Sequence, residues 1–134
     1  MLKKTNKPRT TDDYDKIISA EIPDKIKFTL LYETIIKFNI HSPCNDKSSC
    51  FEKGMCSKRS PRDLVNHTYE DNHGYPVYRR RVCEPIKICN NLIDNKWVVP
   101  YNPYISTKYN AHINVEICST IKAVKYLYII LFSF

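Results

Sequence analysis

The stretch AHINVEIC, Ala111 to Cys118, decides the fold. Apolar Ala111, Ile113, Val115 and Ile117 alternate with His112, Asn114, Glu116 and Cys118, so a period of two puts the first set on one face and the second on the other. That is the signature of a strand with one buried face. The polar face also carries chemistry. Same-face neighbours on a strand stand about 7 Å apart, so His112 with Asn114, or Asn114 with Glu116, can share an ion or a phosphate-bound water. The plain solvent face of an antiparallel strand fits the same pattern.

Downstream, Ser119 or Thr120 is suited to cap a helix in which Ile121, Val124, Tyr128 and Leu131 form one stripe. Lys122, Tyr126 and Ile130 line another face of that helix. The apolar end, Val124 to Phe134, is about half the length needed to cross a bilayer, so no membrane anchor is expected. Upstream, TLLYETIIKFNI spaces Leu31, Ile35 and Phe38 for a helix over Leu30 to Ile40, with Thr29 able to accept from its first backbone donors. GYPVYRRRV follows a turn at Asp71 to Gly74 and reads as a short edge strand, because Pro76 cannot donate to a ladder. IKICNNLIDNKWVVPY reads as two short β runs joined by an Asn/Asp-rich turn, with Trp97, Val98 and Val99 supplying bulk. NPYISTKYN is a connection holding about one helical turn. Together these elements predict an α+β domain, a small antiparallel sheet with flanking helices and an irregular Cys/His-rich segment.

The chain has 134 residues, enough for one domain with a single modest core. Its net charge of +7 favours a polyanionic partner over an acidic protein surface. The cations cluster as Lys53, Lys58, Arg59 and Arg62, and as Arg79, Arg80 and Arg81. Clusters of this kind are commonly solvated faces. Here tyrosines interleave with them, and Tyr75, Tyr78, Tyr101 and Tyr104 offer rings on which unpaired bases can stack, a pattern suited to single-stranded nucleic acid. The basic start is not followed by an apolar run of signal-peptide length, so export is not expected.

Without an export signal, the six cysteines argue for thiols or metal before disulfides. HSPCNDKSSCFEKGMC holds His41, Cys44, Cys50 and Cys56, a donor set suited to a closed tetrahedral zinc site, with Gly54 easing the backbone before Cys56. The spacing is not a common knuckle pattern, and reduced cysteines beside a solvated histidine fit it equally. His67 or His73 can replace His41 as the fourth ligand. For Cys83 and Cys89, simple burial is expected. Tyr126 is a potential nucleophile, since a tyrosine hydroxyl can attack a phosphodiester when a metal polarises the phosphate. A second tyrosine one helical turn later would allow two strand-transfer steps, but residue 130 is Ile.

Read in order, HSPC (from His41), CFEKGMCSKR (from Cys50), GYPVYRRR (from Gly74), DNKWVVPYNPY (from Asp94) and AHINVEICSTIKAVKYLY (from Ala111) resemble the Helitron helicase-like region. This is the replication-initiator-like part of eukaryotic rolling-circle transposases. The resemblance runs from Asp15 to Tyr128 and is most specific from Trp97 onward. It divides the chain into a polar segment over 1–14, a partial helicase-like region over 15–128 and an unrelated apolar tail over 129–134.

The resemblance implies a nuclease of the His-hydrophobe-His class, in which two histidines hold Mg or Mn and a tyrosine pair nicks and rejoins single-stranded DNA. It also implies a nuclear location and, in the complete family protein, a fused DNA helicase. Tyr126 matches the first tyrosine of the family pattern Tyr-x-x-Lys-Tyr-x-x-Lys, while Ile129, Ile130 and Ser133 stand where Lys, Tyr and Lys are expected. The family's His-hydrophobe-His block and the helicase's phosphate-binding loop are not found in this sequence. The resulting expectation is a truncated, incomplete version of the nuclease fold that binds DNA but shows little or no nicking through Tyr126 alone. A small zinc-stabilised protein-interaction module is the competing expectation.

Overall fold

The structure, a computed structural model, describes residues 10–41, 43, 47–49, 51–56, 60–117 and 127–131, the last as backbone alone. It is a mixture of helices and short antiparallel strands, as the α+β expectation holds. Among the described residues the strands form four separate two-stranded ladders and not one continuous sheet.

Helix α1, Thr11–Ile17, begins inside the segment expected to be merely polar and runs past its end. Thr10 caps it and Asp13 returns the bond, a reciprocal capping box written in the sequence as TTDD. Its Tyr14 is buried, so the division between residues 14 and 15 falls within a helix of the core. Helix α2, Thr29–Phe38, matches the periodic stretch and buries Ile35 fully. Thr29 does not cap it. The preceding residues already turn around Asp24, whose carboxylate accepts from Ile26 and Lys27, and the Thr29 hydroxyl donates back to the Lys25 carbonyl.

Strands β1, Phe51–Glu52, and β2, Met55–Cys56, form a hairpin with Lys53 and Gly54 both at positive φ, the conformation that Gly54 accommodates most readily. β3, Tyr69–Glu70, pairs with β4, Pro76–Val77, and Asp71 organises the turn between them. β5, Ile86–Ile88, pairs with β6, Asn91–Ile93, across a two-residue turn at Cys89 and Asn90. Cys89 therefore sits exposed at a hairpin tip, contrary to the expected burial, while Cys83 is half-buried. Trp97 is not in the second β run. Asp94 caps a 3₁₀ turn over Asn95–Trp97, which diverts the chain before Val98. Helix α3, Pro103–Tyr109, is longer than one turn, with Asn102 as its cap and Asn110 closing it in the left-handed conformation.

β7, Ile113–Ile117, is the strand read from AHINVEIC, and its Ile113, Val115 and Ile117 are all buried. They pack with Tyr14, Ile18, Ala20 and Tyr78 to make the larger core. A second cluster of Ile35, Val98 and Tyr101 lies beneath α2. Asn39 joins the two, donating from its side-chain amide to the carbonyls of Ile113 and Val99. β8, Leu127–Leu131, pairs antiparallel with β7 from Ile117↔Leu127 to Ile113↔Leu131. The expected helix is therefore replaced by a strand over these five residues. Pairing satisfies one side of β7's backbone, and the branched Ile129 and Ile130 favour the extended form. The proposed caps Ser119 and Thr120 lie outside the described residues. Among the described residues, no helix is long and apolar enough to cross a membrane.

Candidate nucleic-acid interface

The polar face of β7 becomes the floor of a cleft of about 270 Å³. His112, Asn114 and Glu116 line it from β7, and His41, Trp97 and Val98 from the facing segments. The backbone assembles these walls. His41 donates its N–H to the Trp97 carbonyl at 2.8 Å, and Arg62 donates its N–H to the Lys96 carbonyl at 2.9 Å. Val115 donates to the Pro100 carbonyl at 3.1 Å, tying β7 to the far wall. The His112 ring nitrogen Nδ1 contacts the Phe38 carbonyl, which orients the imidazole at the end of α2.

Three cations line the same cleft: Arg62, Arg80 and Lys96. Glu116 is the carboxylate among the lining residues. Arg80 is 5% exposed, and its Nη1 donates to the carbonyls of Asn95 and Val98 at 2.8 and 2.6 Å. Burial, reinforced by the positive charge of Arg62, lowers its pKa to about 10, which leaves it protonated at neutral pH. The cleft therefore holds a desolvated positive charge beside two more accessible ones. Asn114 adds an unusual feature, because its Oδ1 is buried and accepts no hydrogen bond. A second cavity of about 250 Å³ adjoins, sharing Arg62, Arg80, Pro100 and Glu116 and bounded beyond them by Asp63 and Asp71.

The arginine triplet divides by role. Arg81 grips Glu21 through Nε at 2.9 Å, Nη2 at 2.7 Å and its own backbone N–H at 2.8 Å. Arg79 stands 3.9 Å from both Asp15 and Glu21. Burial alone would raise the Glu21 carboxyl, but the hydrogen bonds and charge of Arg81, with the charge of Arg79, outweigh it and hold the carboxyl below its ordinary value. Arg79 and Arg81 thus face carboxylates, with Arg81 still exposed to solvent, and Arg80 is a buried structural cation lining the cleft. Tyr78 is buried and its hydroxyl accepts the Ile117 N–H, so it is not a stacking platform. Tyr101 is likewise internal: its hydroxyl donates to the Glu21 carbonyl, and burial pushes its pKa up to about 12. Lys53 is exposed on the β1–β2 turn and does not line the cleft. Lys58, Arg59 and Tyr126 lie outside the described residues.

Of the zinc set, the structure joins two members. The His41 Nε2 and Cys56 Sγ atoms stand 3.3 Å apart although fifteen residues separate them in the chain. Cys44 and Cys50 lie outside the described residues, and His67 and His73 are exposed. Among the described residues, no group of three or more His, Cys, Asp or Glu side chains is arranged to hold a metal ion.

Lys96 and Trp97 are the site residues that sequence reasoning missed. Their signal was the adjacency of a cation and an indole after an Asp cap in DNKW, but nothing local shows that this turn faces β7. No protein-family model matches the chain, and no curated protein matches it.

Proposed function

We propose that the chain derives from the initiator-like region of a Helitron-type rolling-circle transposase and that its own activity is to hold single-stranded DNA. The observation that carries this reading is the cleft over the polar face of β7. There Arg62, Arg80 and Lys96 outnumber Glu116, and the Trp97 indole stands beside them. Cations along a groove neutralise phosphates, and an aromatic ring offers a sequence-tolerant surface for a base. The ordered blocks from HSPC to AHINVEICSTIKAVKYLY supply the family side of the reading. With it come a partial His-hydrophobe-His sheet in which β7 is one strand, a nuclear location, a helicase partner and descent of Tyr126 from a nicking nucleophile.

The experiment is to incubate the chain with labelled single-stranded DNA and manganese, then run native and denaturing gels. Salt-sensitive retention on the native gel without a covalent adduct is expected. No retention at low salt rejects the reading, and an adduct abolished by Tyr126→Phe rejects its restriction to binding.

A zinc-stabilised interaction module is the second reading, favoured by the His41–Cys56 contact. With Zn–S near 2.3 Å and Zn–N near 2.0 Å, two tetrahedral ligands lie about 3.5 Å apart, close to the separation seen here.

A further inference from the structure

Residues 39–41 serve two neighbours at once. On one side their backbone is tied to the cleft wall: His41 donates its N–H to the Trp97 carbonyl at 2.8 Å, Val99 donates to the Asn39 carbonyl at 2.8 Å, and Ile40 pairs antiparallel with Val98 between them. Trp97, Val98 and Val99 all line the cleft, as does His41. On the other side the His41 ring reaches Cys56 at the end of the β1–β2 hairpin, with Nε2 and Sγ 3.3 Å apart. Imidazole and thiolate at that separation are within reach of one tetrahedral thiophilic ion. Without an ion this contact is a weak thiol–imidazole bond to a hairpin of two residue pairs, a unit that opens locally. Neither hydrophobic cluster includes Cys56, so the core closes without it.

Resting on the single-stranded DNA reading, we propose that His41 and Cys56 are two donors of a zinc site whose filling sets the affinity of the cleft. Between them in the sequence come Cys44 and Cys50, which lie outside the described residues and have the chemistry to complete a tetrahedral set. Zinc replaces the weak contact with metal–ligand bonds at both His41 and Cys56. The His41 side chain is then held, and the segment it belongs to no longer frays from Trp97 and Val99. The wall that carries the indole is set before a base arrives, which removes an ordering cost that binding otherwise meets. By linkage the effect is reciprocal: DNA in the cleft raises the affinity for zinc by the same factor. The ion and the DNA strand are two ligands of one hydrogen-bonded unit.

For the test, the chain is stripped of metal with a chelator under reducing conditions, and circular dichroism checks that the stripped form stays folded. Its affinity for labelled oligo(dT) is then measured by fluorescence anisotropy with and without equimolar zinc chloride, while the chain's single tryptophan, Trp97, reports on the wall. Zinc alone is expected to change Trp97 emission and to tighten oligo(dT) binding by about fivefold or more, the lower end of ordinary coupling between two sites. Saturating oligo(dT) is expected to tighten zinc binding by the same factor. Cys56→Ser is expected to abolish both effects while keeping the salt-sensitive binding of the stripped chain. Stoichiometric zinc with unchanged oligo(dT) affinity overturns the coupling, and failure to bind zinc overturns the site; in both cases salt-sensitive binding leaves the DNA-binding reading standing. Loss of the fold on stripping overturns the local coupling in favour of a global one. Absence of oligo(dT) binding with or without zinc overturns the DNA-binding reading and the coupling with it.

Discussion

The Arg80 guanidinium donates to the Val98 carbonyl at 2.6 Å, joining the middle of the arginine triplet to the wall of the cleft. The same Nη1 donates to the Asn95 carbonyl, and the Arg80 backbone exchanges hydrogen bonds with Val65. One side chain thus supports the 3₁₀ turn that carries Lys96 and Trp97.

Truncating it takes the charged donor from the Val98 carbonyl and leaves the Asn95 carbonyl with only the long bond from the Val98 N–H. Arg80→Ala is expected to destabilise the fold by about 3 kcal/mol and lower the melting temperature by about 10 °C. Arg80→Lys recovers only part, since a single ammonium cannot reproduce the planar fork. Thermal denaturation followed by circular dichroism measures both, and an unchanged midpoint in Arg80→Ala contradicts the role assigned here.

Acid should loosen the Glu21 junction. The carboxyl is held below its ordinary value of 4.5 in the fold, so the unfolded chain binds a proton more readily. The stabilisation is complete above pH 4.5 and is lost as pH falls through the folded value. Glu21→Gln is expected to be less stable than wild type at pH 7 and to converge with it on acidification. Urea melts at both pH values check this, and a difference that persists at low pH contradicts it.

Binding to single-stranded DNA should weaken several-fold when salt is doubled. Each phosphate contact contributes about 0.7 to the slope of log affinity against log salt for a single strand. Arg62→Ala combined with Lys96→Ala is expected to flatten the slope by about 1.4. Filter binding across a salt series reads the slope directly; a double variant with an unaltered slope places the phosphates elsewhere.

If zinc is held at His41 and Cys56, cobalt substitution is expected to produce thiolate charge-transfer absorption in the near ultraviolet. That absorption should weaken in Cys56→Ser and change position in His41→Cys. Chelation is expected to lower the melting temperature. Zinc content near zero after purification from metal-replete culture removes the module reading.

The strand AHINVEIC was legible because its information is local: alternation over a few residues fixes both the extended form and the buried face. The capping box at TTDD is equally local, but the segment was expected to be merely polar, so α1 was missed although Thr10 and Asp13 carry its signal. The fate of Arg79, Arg80 and Arg81 was not local. Their charge is visible in the sequence, but Glu21 lies about sixty residues away from Arg81, and the carbonyls that hold Arg80 carry no residue-specific signature. Leu127–Leu131 is apolar enough to satisfy a helical stripe, and pairing with β7 decides its form, a tertiary requirement absent from its own spacing. The polar face of β7 was identified as chemically suggestive, yet its opposing wall depends on where the Asp94 turn folds back.

Although β7 belongs to a ladder of only two strands, its second side is not an open edge. The Val115 amide is taken by the Pro100 carbonyl and the Ile117 amide by the Tyr78 hydroxyl. In hydrogen-exchange terms, these two amides open only when the core around Tyr14 and Tyr78 opens, whereas those of the two-residue ladders exchange through local fraying. The floor of the cleft is thus expected to exchange slowly, as a surface already set in place before any ligand arrives.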